Sequence, residues 1–247
     1  FVALSIFATA LEERYQTLPW LILQAFAATC AFCTKFTAAG CFILIALSHI
    51  KILFIHNRRP DWFSILFIRG VIVSIIFFFF LYVIMVIHLK LMPKNGYGDL
   101  YMQQDFRKLS MPVRVFKLLA AMYRYNANLQ IDHPYQSKWY QWPLCLYDPL
   151  FVSVDFNARY IFLLSNPVAS ILSLLGFVIG FFTRDFTSFS YSVVYLISYA
   201  PFILVDRCVF NYHYEIPLMF GITAFCMSLS QFLVRYRKVQ IGFAFVI

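Results

Sequence analysis

Apolar residues run along this chain in blocks, and short polar clusters separate them. Residues 1–11 are apolar and close at Glu12, Glu13 and Arg14. Residues 17–34 run to Lys35, residues 36–55 to the turn His56-Asn57-Arg58-Arg59-Pro60-Asp61, and residues 64–89 to Lys90. The chain then stays polar to about Arg159. Apolar blocks return at 160–182, 188–205 and 210–234, separated by Arg184-Asp185 and Asp206-Arg207. Arg235-Tyr236-Arg237-Lys238 precedes a last run, 239–247, too short for a span. A helix needs about 20 apolar residues to cross a bilayer, so the pattern predicts six complete spans and two partial ones. Lipid offers no partner to free backbone groups, so the spans are helices and the fold class is all-α, a polytopic bundle. Three segments follow: 1–90, helices with the first span truncated; 91–159, an extramembrane loop; 160–247, helices with the last span truncated.

Composition agrees. Hydrophobic residues make up 62% and charged residues 13% of 247, against roughly 25% charged in soluble domains, and the mean hydropathy is +0.75. The net charge of +9 then belongs to loops beside anionic lipid or to an anionic substrate, and no nucleic-acid partner is expected. If the 56–61 turn is cytosolic, Lys51, Arg58, Arg59, Arg184, Arg235, Arg237 and Lys238 share its side, as the positive-inside bias expects. Lys35, the long loop and Asp206-Arg207 then face the lumen. The block interiors carry almost no charge and few breaks, which argues against a transporter. Arg69 is expected to snorkel to the interface. Cys30, Cys33, Cys41 and Cys226 are expected as small buried hydrophobes, and His49, His56 and His88 show no ligand spacing, so no metal site is predicted.

The long loop holds the chemistry. Residues 93–99 form a turn by their Gly and Asn content. Arg114, Lys117 and Arg124 recur at helical spacing opposite Val115, Phe116, Leu119, Met122 and Tyr123, the pattern of a helix lying in the interface. The run His133-Pro134-Tyr135-Gln136-Ser137-Lys138-Trp139-Tyr140-Gln141-Trp142-Pro143 puts two prolines, two tryptophans and two tyrosines into an ordered loop at a membrane face. Trp139, Tyr140 and Trp142 are read as interface anchors.

That run resembles the His-Pro-Tyr-x-Ser-(Lys/Arg)-…-Trp-Pro signature of protein O-mannosyltransferases. Four more segments follow in family order. Cys33-Thr34-Lys35-Phe36-Thr37 is similar to a Ser-Val-Lys-Trp-Val-Gly turn, and Gly96-Tyr97-Gly98-Asp99 to Gly-Pro-Gly-Asp. Residues 159–167, ending in Leu-Ser-Asn-Pro, resemble Arg-Gln-Ile-Tyr-Leu-Leu-Gly-Asn-Pro. Residues 207–214 resemble Arg-x-x-Phe-x-His-His-Tyr, with Tyr212 in place of the first His. The departures are a luminal β-trefoil domain for which the thirty-odd residues between Asp99 and His133 leave no room, and Pro217 one place late.

The resemblance implies a glycosyltransferase bundle of the GT-C type in the endoplasmic reticulum membrane. It would move mannose, with inversion, from dolichyl phosphate mannose to Ser/Thr hydroxyls of secretory-pathway polypeptides, as a homo- or heterodimer, with no cofactor beyond the lipid-linked donor. The donor phosphate would meet Arg207, His213, Tyr214, Arg159 and Lys138. His133, Pro134, Tyr135, Ser137 and Trp142 would form the substrate loop, and Lys35, Asp99, Asn166 and Pro167 would be structural. The family's catalytic carboxylate, in a loop after the first span, is expected upstream of Phe1. For each cation the alternative stands that it snorkels to headgroups. For the whole chain two alternatives stand: a non-catalytic subunit of such a complex, or another polyprenyl-phosphate-sugar transferase of the same fold.

Overall fold

A computed structural model describes residues 1–57, 60–92, 105–128, 133, 136–146, 150–153, 160–162, 165–205 and 208–236. Eight α-helices appear among them: α1 (Val2–Tyr15), α2 (Leu18–Thr34), α3 (Gly40–Ile50), α4 (Trp62–Leu91), α5 (Met111–Asn128), α6 (Pro167–Phe182), α7 (Phe186–Tyr199) and α8 (Glu215–Arg235). The exception to an all-helical fold is a short antiparallel ribbon of β1 (Leu150–Ser153) and β2 (Tyr160–Phe162), in which Ser153 faces Tyr160.

Four helical stretches are long and apolar enough to cross a membrane: Phe36–Ile55, Trp62–Leu91, Phe186–Ile203 and Asn211–Arg235. Leu18–Thr34 and Pro167–Phe182 are apolar but shorter. Among the described residues, then, four candidate spans and two short apolar helices stand where six complete spans were expected. The block at 160–182 shows why. Its first residues pair as a strand, and the helix starts only at Asn166-Pro167, where the Asn166 side chain accepts from the Ala169 N–H at 3.1 Å. Proline fixes φ and needs no hydrogen bond at the first helical position, so the start is sharp. Asp185 caps α7 in the same way, accepting from the Ser188 N–H at 2.8 Å.

Small residues draw the helices together, as they do where lipid removes the hydrophobic drive between spans. On α6 and α8 a Cβ at Gly176 would lie 2.1 Å from the Gly221 carbonyl oxygen, and one at Gly221 would lie 2.1 Å from Ser173 Oγ. Ala25, Ala27, Ala28 and Ala31 are buried along α2. The central core joins α3, α7 and α8 through Cys41, Leu44, Val194, Tyr195, Phe220 and Ala224. By contrast α4 buries only Leu81 and Met85; Phe63, Phe67, Ile75 and Phe78 are exposed, as a lipid-facing surface requires.

α5 is longer than the expected interfacial helix, and it is not free on the surface. Val115 is buried against Leu81 and Met85 of α4, while Phe116 and Tyr123 stay exposed.

Side-chain contacts sort the turns into two ends. Lys51 Nζ donates to Glu13 Oε2 at 2.6 Å and Asn57 to Gln16 at 3.3 Å, joining the α1–α2 and α3–α4 turns. Lys35 Nζ lies 4.4 Å from the Tyr212 ring centroid, which joins the α2–α3 turn to the start of α8 at the other end.

One polar cluster inside the bundle corrects two expectations. Arg69 does not snorkel: its guanidinium pairs with Glu12, which is fully buried. His49, at 2% exposure, sits with Nε2 3.5 Å from Glu12 Oε2 and 3.0 Å from Gln24 Nε2. Four helices thus bring polar groups, two of them charged, into an interior that the block pattern reads as nearly uncharged. The six cysteines are free; Cys226 is exposed and Cys33 half-buried rather than buried.

Candidate functional site

At the Lys35 end the chain between α7 and α8 cannot continue as one helix. Pro201 turns it into a 3-10 stretch, Ala200–Ile203, and the chain reaches α8 through a second, Asn211–Tyr214. The aromatic loop docks on this break. Ser137 donates its backbone N–H to the Val209 carbonyl at 2.9 Å, and its hydroxyl accepts from Trp142 Nε1 at 2.8 Å. Tyr199 donates from its hydroxyl to the Trp139 carbonyl at 2.6 Å.

Trp142 is therefore no interface anchor. It is 1% exposed, edge-on to Phe202 at 5.3 Å and stacked at 15° over His213 at 6.2 Å. An indole needs a partner for its N–H when buried, and Ser137 supplies it. Tyr140, 54% exposed, remains free to sit in an interface.

His213 lies between two rings, Trp142 and Tyr212, the latter 4.4 Å away at 25°. In the tautomer with a proton on Nδ1 it donates to the Phe210 carbonyl at 3.0 Å, which fixes the ring plane. Lys35 over Tyr212 adds a cation to the same wall, within the range of a cation–π attraction. The Tyr214 hydroxyl points into the bundle, 3.0 Å from Tyr195 Oη and 3.5 Å from Ser173 Oγ. Lys138 is exposed, with its backbone N–H donating to Gln141 Oε1 at 2.6 Å. His133 is exposed and meets Phe210 edge-on at 5.3 Å.

Of the residues expected to act, the structure brings His133, Ser137, Lys138, Trp142, His213 and Tyr214 to one end, with Lys35, Asn166 and Pro167, expected as structural, beside them. Asp99, Pro134, Tyr135, Arg159 and Arg207 lie outside the described residues.

Beside this wall, between the starts of α6 and α8, is a cavity of about 200 Å³ lined in part by Ser165, Asn166, Ser170, Asn211, Tyr214 and Glu215. Asn211, buried in its lining, donates from Nδ2 to Ser165 Oγ at 3.2 Å. Sequence reading passed over Ser165, Asn211 and Glu215. The available signal was Asn211 and Glu215 flanking the Tyr-His-Tyr run at the head of an apolar block. Among the described residues no group of three or more His, Cys, Asp or Glu side chains is placed to hold a metal.

Chemically, this end offers two neighbouring environments. One is an aromatic wall carrying Lys35 and His213, with the exposed Lys138 on the loop docked to it; the other is a small cavity lined by hydroxyls, carboxamides and, among the described residues, one carboxylate. The first suits an anionic headgroup, because cations and oriented donors stabilise charge best where they need no reorganisation.

Residues 113–189 match the family described as the C-terminal four-TMM region of protein-O-mannosyltransferase. The match takes in most of α5, the docked loop with Ser137 and Trp142, the ribbon, α6 with its Asn166 cap, and the first turn of α7. No curated protein and no solved structure matches the chain. The docked aromatic loop and the capped helix behind it thus lie within a segment, residues 113–189, that is similar to the C-terminal membrane region of protein O-mannosyltransferases.

Proposed function

We propose that the chain is part of a dolichyl-phosphate-mannose–protein mannosyltransferase of the endoplasmic reticulum membrane, transferring mannose with inversion to Ser/Thr hydroxyls of acceptor polypeptides. The observation that carries the reading is the docking of the loop: Ser137 and Trp142, both in the family-matched segment, seat it directly on the His213 turn. The GT-C-type bundle, the loop as substrate segment, the luminal placement of this end and a dimer with a family member are parts of the same proposal.

Phosphate is already a good leaving group, so the donor side needs charge neutralisation more than protonation. Lys138, His213 and the outlying Arg159 and Arg207 are assigned to that task; an Arg fork suits bidentate contact with phosphate oxygens. Tyr214, with its hydroxyl inside the bundle, supports the turn that carries His213. The acceptor hydroxyl is a weak nucleophile and needs a carboxylate within hydrogen-bond reach, and the family resemblance assigns that base to a loop after the first span.

The test is transfer by the full-length protein in proteoliposomes, from labelled dolichyl phosphate mannose to a Ser/Thr peptide. Arg207→Ala is expected to lower the rate by about tenfold or more at saturating donor. An unchanged rate would reduce Arg207 to a headgroup anchor, and no transfer to any hydroxyl peptide would remove the acceptor class from the proposal.

A further inference from the structure

The geometry points to the cavity between the starts of α6 and α8 as the subsite for a single sugar ring, separate from the place where the phosphate sits. This rests on the reading of the chain as a lipid-phosphate-sugar transferase and goes beyond it by assigning the two ends of the donor to two environments.

The argument starts from what the walls can bind. Among the described residues lining the cavity, Glu215 is the one charged group, and there is no Lys, Arg or His. A phosphate placed there would face that carboxylate with no cation among the described lining residues. A hard metal cation would want several carboxylates around it, and the cavity has one. An apolar ligand would make no use of the hydroxyls and carboxamides that line it.

A polyhydroxylated ring fits all of these. Each of its hydroxyls both donates and accepts, so a carboxylate, amides and hydroxyls can be used together. Size agrees: about 200 Å³ is the volume of roughly seven water molecules. It lies below the roughly 300 Å³ at which pockets for drug-sized ligands begin. That is room for one ring.

The site is also built rigidly. Asn166 is held by its cap to Ala169 N–H and Asn211 by its bond to Ser165. Ser170, Asn211 and Tyr214 are buried. Tyr212, which also borders the cavity, is the ring that Lys35 and His213 meet, so the wall holding the cations adjoins the cavity through one side chain. A sugar in the cavity would leave its phosphate at that wall.

The experiment measures binding of two lipids by the full-length protein in nanodiscs: dolichyl phosphate mannose, and dolichyl phosphate without sugar. Two variants are compared with the parent. Glu215→Gln keeps the shape of an exposed residue and removes its charge; Leu218→Trp fills the cavity from its apolar wall. Both are expected to weaken the mannose lipid by about tenfold or more, the range of a lost charge-assisted hydrogen bond, with dolichyl phosphate unchanged. Equal weakening of both lipids would put the phosphate in the cavity and overturn the inference while leaving the transferase reading in place. No change in either lipid with either variant would overturn it as well. Failure of the parent protein to bind either lipid would bring down the transferase reading itself, and the subsite with it.

Discussion

The buried pair between Glu12 and Arg69 makes a quantitative prediction about how α4 is held. This helix buries only Leu81 and Met85, both in its second half, so near its other end the Arg69 contact is the polar tie to the bundle. Glu12 has no exposed surface and the Arg69 side chain is 16% exposed. Replacing Arg69 by Met keeps the length and the apolar stem but leaves a buried carboxylate beside the His49 ring, 3.5 Å away, without its arginine. Breaking a buried pair from one side costs about 3–5 kcal/mol. Glu12→Gln is expected to cost less, because the freed arginine can extend toward the headgroups. The double variant Glu12→Gln/Arg69→Met leaves no orphaned charge and is expected to be more stable than Arg69→Met alone. A coupling energy of about 2 kcal/mol or more follows. The assay is reversible unfolding of the full-length protein in bicelles by steric trapping, run on the parent, both single variants and the double. Costs that add within about 0.5 kcal/mol would show that the two groups are not coupled, and α4 would need another explanation for its position.

Other outcomes follow from single contacts. Trp142→Phe keeps most of the buried ring but removes the donor to Ser137 Oγ; a cost of about 1–2 kcal/mol should appear as faster proteolytic cleavage within 133–146 than in the parent. Gly176→Val places a Cβ against the Gly221 carbonyl and the Phe225 amide of α8, both backbone, so a loss of about 1–3 kcal/mol or more in unfolding stability is expected. Gly70→Ala is its control: a Cβ there meets nothing within 4 Å, and the helix should gain or hold stability in the same unfolding assay. Asn166→Ala should destabilise the start of α6 by about 1 kcal/mol, seen as faster amide exchange at Ala169 with α8 unaffected.

What the sequence made legible was set by the physics of each signal. Hydrophobic length located Trp62–Leu91 and the apolar helices around it within a few residues, because lipid makes burial a matter of composition. The Asn166-Pro167 start was readable too, since capping is local. Even so, the apolar block read from residue 160 hid a strand, because hydropathy does not distinguish a strand from the first turns of a helix. The environments of individual side chains were not legible. Trp142 was read as an anchor because indoles favour interfaces; its burial depends on Ser137, five residues away, and on His213 from another part of the chain. Arg69 looked like a snorkelling cation because its partner lies 57 residues earlier. The polar cavity depends on two helix starts meeting, Asn166 with Asn211 and Glu215, and neither segment alone signals it.

The proposal requires the aromatic loop and the head of α8 to form one luminal site, with the Glu13–Lys51 end on the cytosolic side. Side-specific thiol labelling in sealed endoplasmic reticulum vesicles, in a background without native cysteines, tests it directly. Lys138→Cys and Glu215→Cys, both exposed positions, should be protected in intact vesicles and react after permeabilisation, while Asn57→Cys reacts at once. Labelling of Lys138→Cys and Glu215→Cys from opposite sides, or of both from outside the sealed vesicles, would contradict the account.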